Sequence, residues 1–288
     1  MNQFREEPLM SNDLAYKQLL TLIAARSQQW LRHRIGFLPQ DAMRETQIDD
    51  LAEIAVAAHI CTGLRGSEAP LHVFIRSRFT PDFIALFLNR IQNDKLDQAP
   101  RGSALLQCLP PDLRSRIGLA GDLPLPIRLA LSDAPDARLC AEAETLLCRP
   151  IPEECLDDQL IEDFVAVLAL CYRFGARRPH FASPRTYGEA FAACLRFADW
   201  AQRNGRLLPL VQAIQGLCLI DPDHDVMPLL SDVIASQRPD GSFPMRIGFG
   251  NADQDGAALR PTLATVIALH MAIHRRWHAP RPPVPMAA

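Results

Sequence analysis

Apolar residues recur at intervals of three and four along most of the chain, which is the period of an amphipathic α-helix. No hairpin turn sequence lies between alternating runs, so the pattern predicts no β-strand. We therefore expect about ten to twelve helices arranged in antiparallel pairs. The segments that carry the helical period are 12–33, 46–64, 81–93, 135–148, 156–174, 187–203, 206–218, 226–237 and 259–277.

Residues that favour helix ends mark several of these segments. Thr46 and Thr186 each stand at the start of an apolar run, where a hydroxyl can accept a hydrogen bond from a free backbone N–H. Thr80-Pro81 starts another run, because proline suits the first turn of a helix. Gly175 and Gly205 stand at the ends of two runs, where glycine readily adopts the left-handed backbone that closes a helix. These signals support an all-α fold.

The helices are expected to form a single domain over residues 1–278. From residue 156 onward, at least two helix pairs share a rhythm of roughly 35–45 residues, which lies in the range of helical repeats. The remaining segment, 279–288, is rich in proline and is predicted to be a disordered tail.

Composition and charge exclude several classes of protein. The formal net charge is −3, so there is no overall positive field to hold nucleic acid. No stretch approaches the roughly 18 consecutive apolar residues that a membrane span needs. The first residues are polar and acidic and lack the apolar core of a signal peptide, which predicts a cytoplasmic location. None of the eight cysteines forms a Cys-x-x-Cys pair, and we expect most of them to be buried, reduced thiols.

The segment 237–243 reads Gln-Arg-Pro-Asp-Gly-Ser-Phe and precedes an apolar helix that begins near Leu259. This segment resembles the glutamine–tryptophan repeat of squalene-hopene cyclases and other terpenoid cyclases. The helix after it resembles the inner helix that follows the repeat loop in those cyclases and in protein prenyltransferase β-subunits. The resemblance implies an α/α-toroid of stacked antiparallel helix pairs, closed or incomplete.

The physical roles of the repeat residues can be stated as expectations. The Gln237 side chain can cap the N-terminus of a neighbouring helix. Asp240-Gly241 provides a tight turn, and Phe243 packs over the next helix pair.

The chain departs from these families at their catalytic positions. The string Asp223-His224-Asp225 does not match the Asp-x-Asp-Asp motif of class II terpene cyclases. Pro261 stands about where the zinc-binding His of prenyltransferases would fall, and residues 255–257 lack the corresponding Cys. The resemblance therefore implies an architecture without the families' active sites, and we expect no metal and no cofactor.

Two other groups have spacings that can suit a metal. His270, His274 and His278 recur at four, so they can share one helix face, but no His-Glu-x-x-His pattern accompanies them. A cation near a helix C-terminus is also favourable by itself. The second group fits the magnesium-binding Asp-Asp-x-x-Glu pattern of class I terpene synthases, although acids are common in a first helical turn; it comprises Asp49, Asp50 and Glu53.

Four carboxylates are the candidate catalytic residues. Asp223 and Asp225 crowd a short turn, where neighbouring carboxylates can raise one another's pKa and so favour acid or base chemistry. Their alternative role is to cap the helix that begins near Val226. Asp253 and Asp255 lie in a Gly-rich loop and carry the same two interpretations.

The sequence is compatible with two functions of different classes. The first is a biosynthetic enzyme of the terpenoid-cyclase-like type, which acts on a small apolar or peptide-linked substrate in a central cavity. The second is a non-catalytic scaffold, which uses the concave surface for a peptide, a protein partner or a second copy of the chain. A closed cavity with carboxylates favours the enzyme, whereas an exposed apolar surface favours the scaffold.

His59 and His72 lie in apolar runs and are predicted to be interior histidines.

Overall fold

The computed structural model of the protein describes residues 7–36, 45–75, 80–93, 99–109, 123–132, 137–248 and 258–274. Asp253, Asp255, His278 and the proline-rich segment 279–288 lie outside the described residues. So does the side chain of Asp49.

The described residues are all-α, and their only β-type pairing is one bridge between Arg206 and Arg246. This confirms the prediction, made from the apolar period, that the fold is all-α. Short 3-10 turns lie at Glu153–Cys155 and Arg173–Gly175. The α-helices of the described residues are α1 (Glu7–Gly36), α2 (Glu45–Arg65), α3 (Pro70–Ile75), α4 (Pro81–Asn93), α5 (Ala99–Cys108), α6 (Leu125–Leu131), α7 (Ala137–Leu147), α8 (Asp158–Cys171), α9 (Pro184–Arg203), α10 (Leu207–Ile220), α11 (Met227–Ala235) and α12 (Leu259–His274).

Five of these helices pack side by side in an order that returns to its start. Helix α2 packs against α5, α5 against α8, α8 against α10, α10 against α12, and α12 against α2. Other helices flank them: α1 packs against α12, α9 and α11 pack against α10, and α7 packs against α8. The five helices therefore enclose a common space, and that space is where the candidate site lies.

The helix sequences explain which helices are most deeply buried. Helix α10 is apolar on every side, and twelve of its fourteen residues are buried, as expected of a helix covered by neighbours all round. Helix α9 keeps a polar face, and its buried residues follow the three-and-four spacing from Ala190 to Ala201. Pattern alone therefore separates a central helix from a peripheral one.

The segment 237–243 joins α11 to α1 and α12. The Gln237 Nε2 group donates hydrogen bonds to the backbone oxygen of Ile23 at 3.0 Å and to the Ser27 hydroxyl at 3.0 Å, both in α1. Phe243 is fully buried, and its N–H donates to the Thr262 hydroxyl of α12 at 2.9 Å. The segment thus links the first and last described helices.

The turn within this segment has the expected form. Asp240 accepts a hydrogen bond from the Ser242 N–H at 2.9 Å, and Gly241 adopts a left-handed φ of 94°. The expected role of Gln237 is wrong, however, because its amide donates to a carbonyl within α1 and does not accept from a helix N-terminus. A single Gln can satisfy either kind of backbone group, and its position in the sequence does not distinguish them.

Some local predictions hold and others do not. Helix α4 begins at Pro81 as predicted, and the Thr80 hydroxyl accepts a hydrogen bond from the Phe83 N–H at 3.2 Å. Helix α9 is capped by Ser183 instead of Thr186, whose hydroxyl donates to Glu144. His59 is exposed and His72 is only partly buried, so the prediction that both are interior is wrong.

The cysteines divide evenly between the interior and the surface. Cys61, Cys171, Cys194 and Cys218 are buried, and the other four are partly or fully exposed. Burial raises the pKa of Cys61, Cys171 and Cys194 to about 12, so these thiols stay protonated and unreactive at neutral pH.

Among the described helices, none combines the length and the hydropathy needed to cross a lipid bilayer.

Candidate functional site

A pocket lies in the space enclosed by the five contiguous helices, and we call it the five-helix pocket. Its volume is about 160 Å³, close to the roughly 150 Å³ of an engineered apolar cavity that holds one benzene molecule. Each of the five helices contributes to its wall. The lining residues are Glu53, Val56, Ile60, Ala104, Glu162, Val165, Ala166, Ala169, Phe174, Leu208, Gln212, Gln215, Arg260, Leu263, Ala264, Ile267 and Met271.

One end of the five-helix pocket carries its charged side chains. The Arg260 Nη2 group donates to both carboxylate oxygens of Glu162 at 2.7 Å, and the Arg260 Nε lies 3.4 Å from a carboxylate oxygen of Glu53. All three side chains are largely buried, with exposed fractions of 31%, 11% and 19% for Arg260, Glu162 and Glu53. Water therefore screens these charges less than it screens a surface ion pair.

The position of Arg260 in its helix explains why two carboxylates converge on it. Arg260 is the second residue of α12, where the helix dipole disfavours a cation. Glu162 from the second turn of α8 and Glu53 from α2 supply the compensating negative charge. Three separate helices are thus tied together at this end of the pocket.

The other end of the five-helix pocket is apolar. Ile60, Ala169 and Met271 lie seven to eleven residues further along the same three helices than Glu53, Glu162 and Arg260. With a rise of about 1.5 Å per residue, that separation corresponds to about 10–16 Å along the helix axes. The pocket is therefore polarised along its length, from charged to apolar.

Phe174 lines the apolar part of the pocket from a strained turn. Arg173 and Phe174 have left-handed φ angles of 47° and 52°, and Gly175 follows with a φ of 95°. A left-handed backbone costs roughly 1–2 kcal/mol for each residue other than glycine. The turn ends α8 early, which is why the predicted helix over 156–174 is shorter, and it brings the Phe174 ring to the pocket.

Two amide side chains of α10 lie between the charged and apolar ends. Gln215 donates from its Nε2 to the backbone oxygen of Ala264 at 2.8 Å. The side-chain oxygen of Gln212 is buried and has no hydrogen-bond partner in the described part of the chain. A buried acceptor without a partner costs about 1–3 kcal/mol, so a donor on a bound molecule could relieve this cost after a rotation of the amide.

The geometry supports binding of a small molecule that has one polar end and one apolar end. The carboxylates of Glu53 and Glu162 can accept hydrogen bonds from such a molecule and can exchange a proton with it. Within the described residues, no three His, Cys, Asp or Glu side chains lie close enough to share a metal ion.

The predicted catalytic carboxylates lie elsewhere or outside the described residues. Asp225 accepts a hydrogen bond from the Met227 N–H at 2.9 Å, at the start of α11. The carboxylate of Asp221 accepts from the Asp223 N–H at 3.0 Å. Neither Asp223 nor Asp225 is among the described residues that line the five-helix pocket. Their catalytic role remains a prediction, as does that of the undescribed Asp253 and Asp255.

Asp225 has one neighbour that bears on acid–base chemistry. Burial raises the pKa of Tyr16 to about 12, and the negative charge of Asp225 adds to that increase. The Tyr16 hydroxyl is buried and makes no hydrogen bond within the described residues. This hydroxyl is therefore a weak acid at neutral pH, which does not favour it as a proton donor.

Two of the histidines whose spacing can suit a metal have structural surroundings. His270 is 3% exposed, and its Nδ1 lies 2.8 Å from the backbone oxygen of Val266. Burial lowers the pKa of His270 to about 4, whereas the hydrogen bond to Val266 opposes that shift. The His270 and His274 rings are 5.6 Å apart. Of the second metal-spaced group, Glu53 pairs with Arg260.

The sequence analysis does not identify Glu162 and Arg260, the ion pair that joins α8 to α12 at the pocket. Each is a charged residue close to the start of a strongly apolar helix. That signal was available, because a charge in such a helix needs a partner when it is buried. Glu53 was noted only as part of a magnesium motif.

Comparison of the chain with protein-family models, with curated proteins and with solved structures found no match. The function is therefore argued from the five-helix pocket itself.

Proposed function

We propose that the five-helix pocket binds a small, mainly apolar molecule, and that the protein is an enzyme acting on it within an α/α-toroid. The observation that carries the proposal is the pocket's polarity, with Glu53, Glu162 and Arg260 at one end and apolar side chains at the other. The closed order of contacts among α2, α5, α8, α10 and α12 supports the toroid. The polarity of the pocket favours an orientation with the polar group of the molecule at Arg260.

The chemistry proposed for this site is proton transfer. Two carboxylates near one guanidinium can hold a donor group of the substrate, and either carboxylate can accept or return a proton. Partial burial of the three charged side chains strengthens these electrostatic interactions. The prediction that Asp223, Asp225, Asp253 and Asp255 are acid–base residues is separate from this proposal. Of these four, only Asp223 and Asp225 are among the described residues, and neither lines the pocket.

The proposed function can be tested by filling the pocket while its charged side chains are left unchanged. Ala166 lines the pocket one turn beyond Glu162 on α8, so Ala166→Leu would place three more carbon atoms in the space. Ala25→Leu is the matched control, because Ala25 is exposed on α1. Native mass spectrometry of each purified protein would detect small molecules that it retains.

We expect the wild-type protein and Ala25→Leu to bind a retained molecule, or an added apolar probe such as benzyl alcohol. Ala166→Leu should bind neither. Thermal unfolding of all three proteins would verify that they are folded. Equal binding to the two variants would contradict the proposal.

A second candidate function, docking of a protein partner or a second copy of this chain, is favoured by one surface. Leu14, Leu19 and Leu22 of α1 are 61%, 41% and 60% exposed. Light scattering after size-exclusion chromatography would test the homodimer. A dimeric mass that falls to a monomeric mass in Leu14→Gln/Leu22→Gln would favour this function, and a monomeric mass for the normal protein would contradict the homodimer.

A further inference from the structure

The Gln212 amide is the polar group of the five-helix pocket that bears most directly on the class of ligand. Gln212 lines the pocket, and its Oε1 atom is buried and accepts no hydrogen bond from the described residues. Gln215 lies one turn further along α10 and also lines the pocket, but its Nε2 group donates to the backbone oxygen of Ala264 at 2.8 Å. The structure thus uses the Gln215 amide to join two helices and leaves the Gln212 oxygen available to a ligand.

The position of Gln212 along the pocket follows from the register of α8 and α10. Arg206, immediately before α10, donates from its Nε to a carboxylate oxygen of Asp158 at the start of α8 at 3.0 Å, and the two residues are 48 apart in the sequence. Gly216 of α10 packs against Leu168 of α8, whose Cδ2 would lie 3.5 Å from a Cβ atom placed on the glycine. This second pair has the same sequence separation, so the two helices run parallel with a constant offset.

That offset places Gln212 about 3 Å further from the charged end than Glu162. Gln212 is level with Phe164, two residues beyond Glu162 on α8, and each residue of a helix rises about 1.5 Å. A ligand that directs its polar group to the charged end therefore brings that group within reach of the Gln212 amide. Rotation about the last bond of a Gln side chain is soft, and it breaks no hydrogen bond that Oε1 makes with the described residues.

We infer that the five-helix pocket selects a small apolar alcohol, whose hydroxyl donates a hydrogen bond to the Oε1 atom of Gln212. This inference rests on the proposed function, because it names the ligand class of the same site. A hydroxyl donor supplies the hydrogen bond that the buried oxygen lacks, and so removes the cost of an unpaired acceptor. An aldehyde, ketone or ether with the same apolar body offers no hydrogen to that oxygen and leaves it unpaired.

Benzyl alcohol and benzaldehyde test the inference because they share a phenyl ring and differ in their ability to donate a hydrogen bond. The alcohol donates and accepts, whereas the aldehyde only accepts. Affinities measured by NMR titration of the wild-type protein should be about tenfold higher for the alcohol, which corresponds to the pairing of one buried acceptor. Ala166→Leu fills the pocket and should abolish the binding of both probes.

Two matched variants test the role of Gln212. Gln212→Met keeps the length of the side chain and removes its amide, so the preference for benzyl alcohol over benzaldehyde should fall about tenfold while both probes still bind. Gln215→Met is the control, one turn away on the same helix, and should keep the preference. Comparison of the affinity ratio among the three proteins cancels the different hydration of the two free probes.

Thermal unfolding without a ligand gives a second readout. Gln212→Met removes a buried acceptor that has no partner among the described residues, so its melting temperature should equal or exceed that of the wild-type protein. Gln215→Met loses the hydrogen bond to Ala264, so its melting temperature should fall. A Gln212→Met protein that is as destabilised as Gln215→Met, or that does not fold, would overturn the premise that the Gln212 oxygen is unpaired.

The results distinguish this inference from the proposed function. Equal affinities of the wild-type protein for the two probes, or tighter binding of benzaldehyde, would overturn the inferred alcohol class and leave the pocket as a binding site. A preference for the alcohol that persists in Gln212→Met would overturn the assigned role of Gln212. Absence of binding by both probes would overturn the inference together with the proposed function.

Discussion

Replacing Gly241 by alanine should destabilise the protein well beyond the ordinary cost of such a change. Gly241 has a φ of 94°, and a Cβ added there would lie 2.6 Å from the backbone oxygen of Arg26 and 2.9 Å from its carbonyl carbon. A Cβ atom does not approach a backbone carbonyl this closely in real proteins, so the turn would have to move away from α1 by several tenths of an ångström. Gly248→Ala is a matched control, because its φ is 99° and no atom of the described residues lies within 4 Å of the added Cβ.

The magnitude follows from the contacts that such a shift would weaken. The left-handed backbone alone costs alanine about 1–2 kcal/mol, and both variants incur it. In Gly241→Ala, the Ser27 hydroxyl loses its 2.9 Å hydrogen bond to the Gly241 oxygen, and the Arg26 guanidinium loses its 2.8 Å hydrogen bond to the Pro239 oxygen. At about 1 kcal/mol for each bond, the total for Gly241→Ala is about 3–4 kcal/mol.

Urea unfolding followed by circular dichroism would measure both free energies of unfolding. The expected difference between the two variants is about 2 kcal/mol, with Gly241→Ala the less stable. Equal losses for Gly241→Ala and Gly248→Ala would refute the close packing of the 237–243 segment on α1.

Three further predictions concern stability. Phe243→Ala should lower the free energy of unfolding by about 3–5 kcal/mol because Phe243 is fully buried. Gln237→Ala should lower it by less. A larger loss of stability for Gln237→Ala in urea titrations would contradict this order. The folded-state pKa of His270 is about 4, below its ordinary 6.5, so the unfolded chain binds more protons than the folded chain between these values. The contribution of His270 to stability is therefore complete above pH 6.5 and is lost progressively as the pH falls towards 4. The free energy of unfolding should fall less between pH 7 and 4.5 in His270→Gln than in the wild-type protein, and identical falls would contradict the assignment. Arg173→Gly should be about 1 kcal/mol more stable than Arg173→Ala. Both variants lose the hydrogen bond to the Ser132 oxygen, but only alanine retains the strain of the left-handed backbone. Equal melting temperatures of the two variants would argue against that strain.

The helical fold could be predicted because its signal is local. The three-and-four apolar spacing of a segment such as 187–203 reports which side of a helix is buried, and it requires no knowledge of the partner helix. The turn at Asp240-Gly241 was predictable for the same reason, because its geometry depends on adjacent residues.

The candidate site could not be predicted in the same way because its parts are far apart in the chain. Glu53, Glu162 and Arg260 are separated by about a hundred residues each, and only the packing of α2, α8 and α12 brings them together. Local crowding drew attention to Asp223 and Asp225 instead, although Asp225 accepts the Met227 N–H as a helix cap would. Spacing within one helix cannot reveal which charges meet across three helices.

The left-handed turn at Arg173 and Phe174 was also beyond local prediction. Both residues ordinarily avoid a positive φ, and the apolar period of α8 continues through them. The surrounding packing, with Phe174 buried at the five-helix pocket, must offset the strain. Such a position is decided by tertiary contacts and not by the preference of its own residues.

The central claim is that the five-helix pocket holds a small, mainly apolar molecule with its polar group at Arg260. A crystal structure of the protein soaked with benzyl alcohol tests this most directly, because the probe has one apolar ring and one neutral polar group. The account predicts the phenyl ring between Phe174 and Met271, with the hydroxyl directed towards Glu53, Glu162 and Arg260. Benzyl alcohol bound only at other surfaces, with water alone in the five-helix pocket, would contradict it.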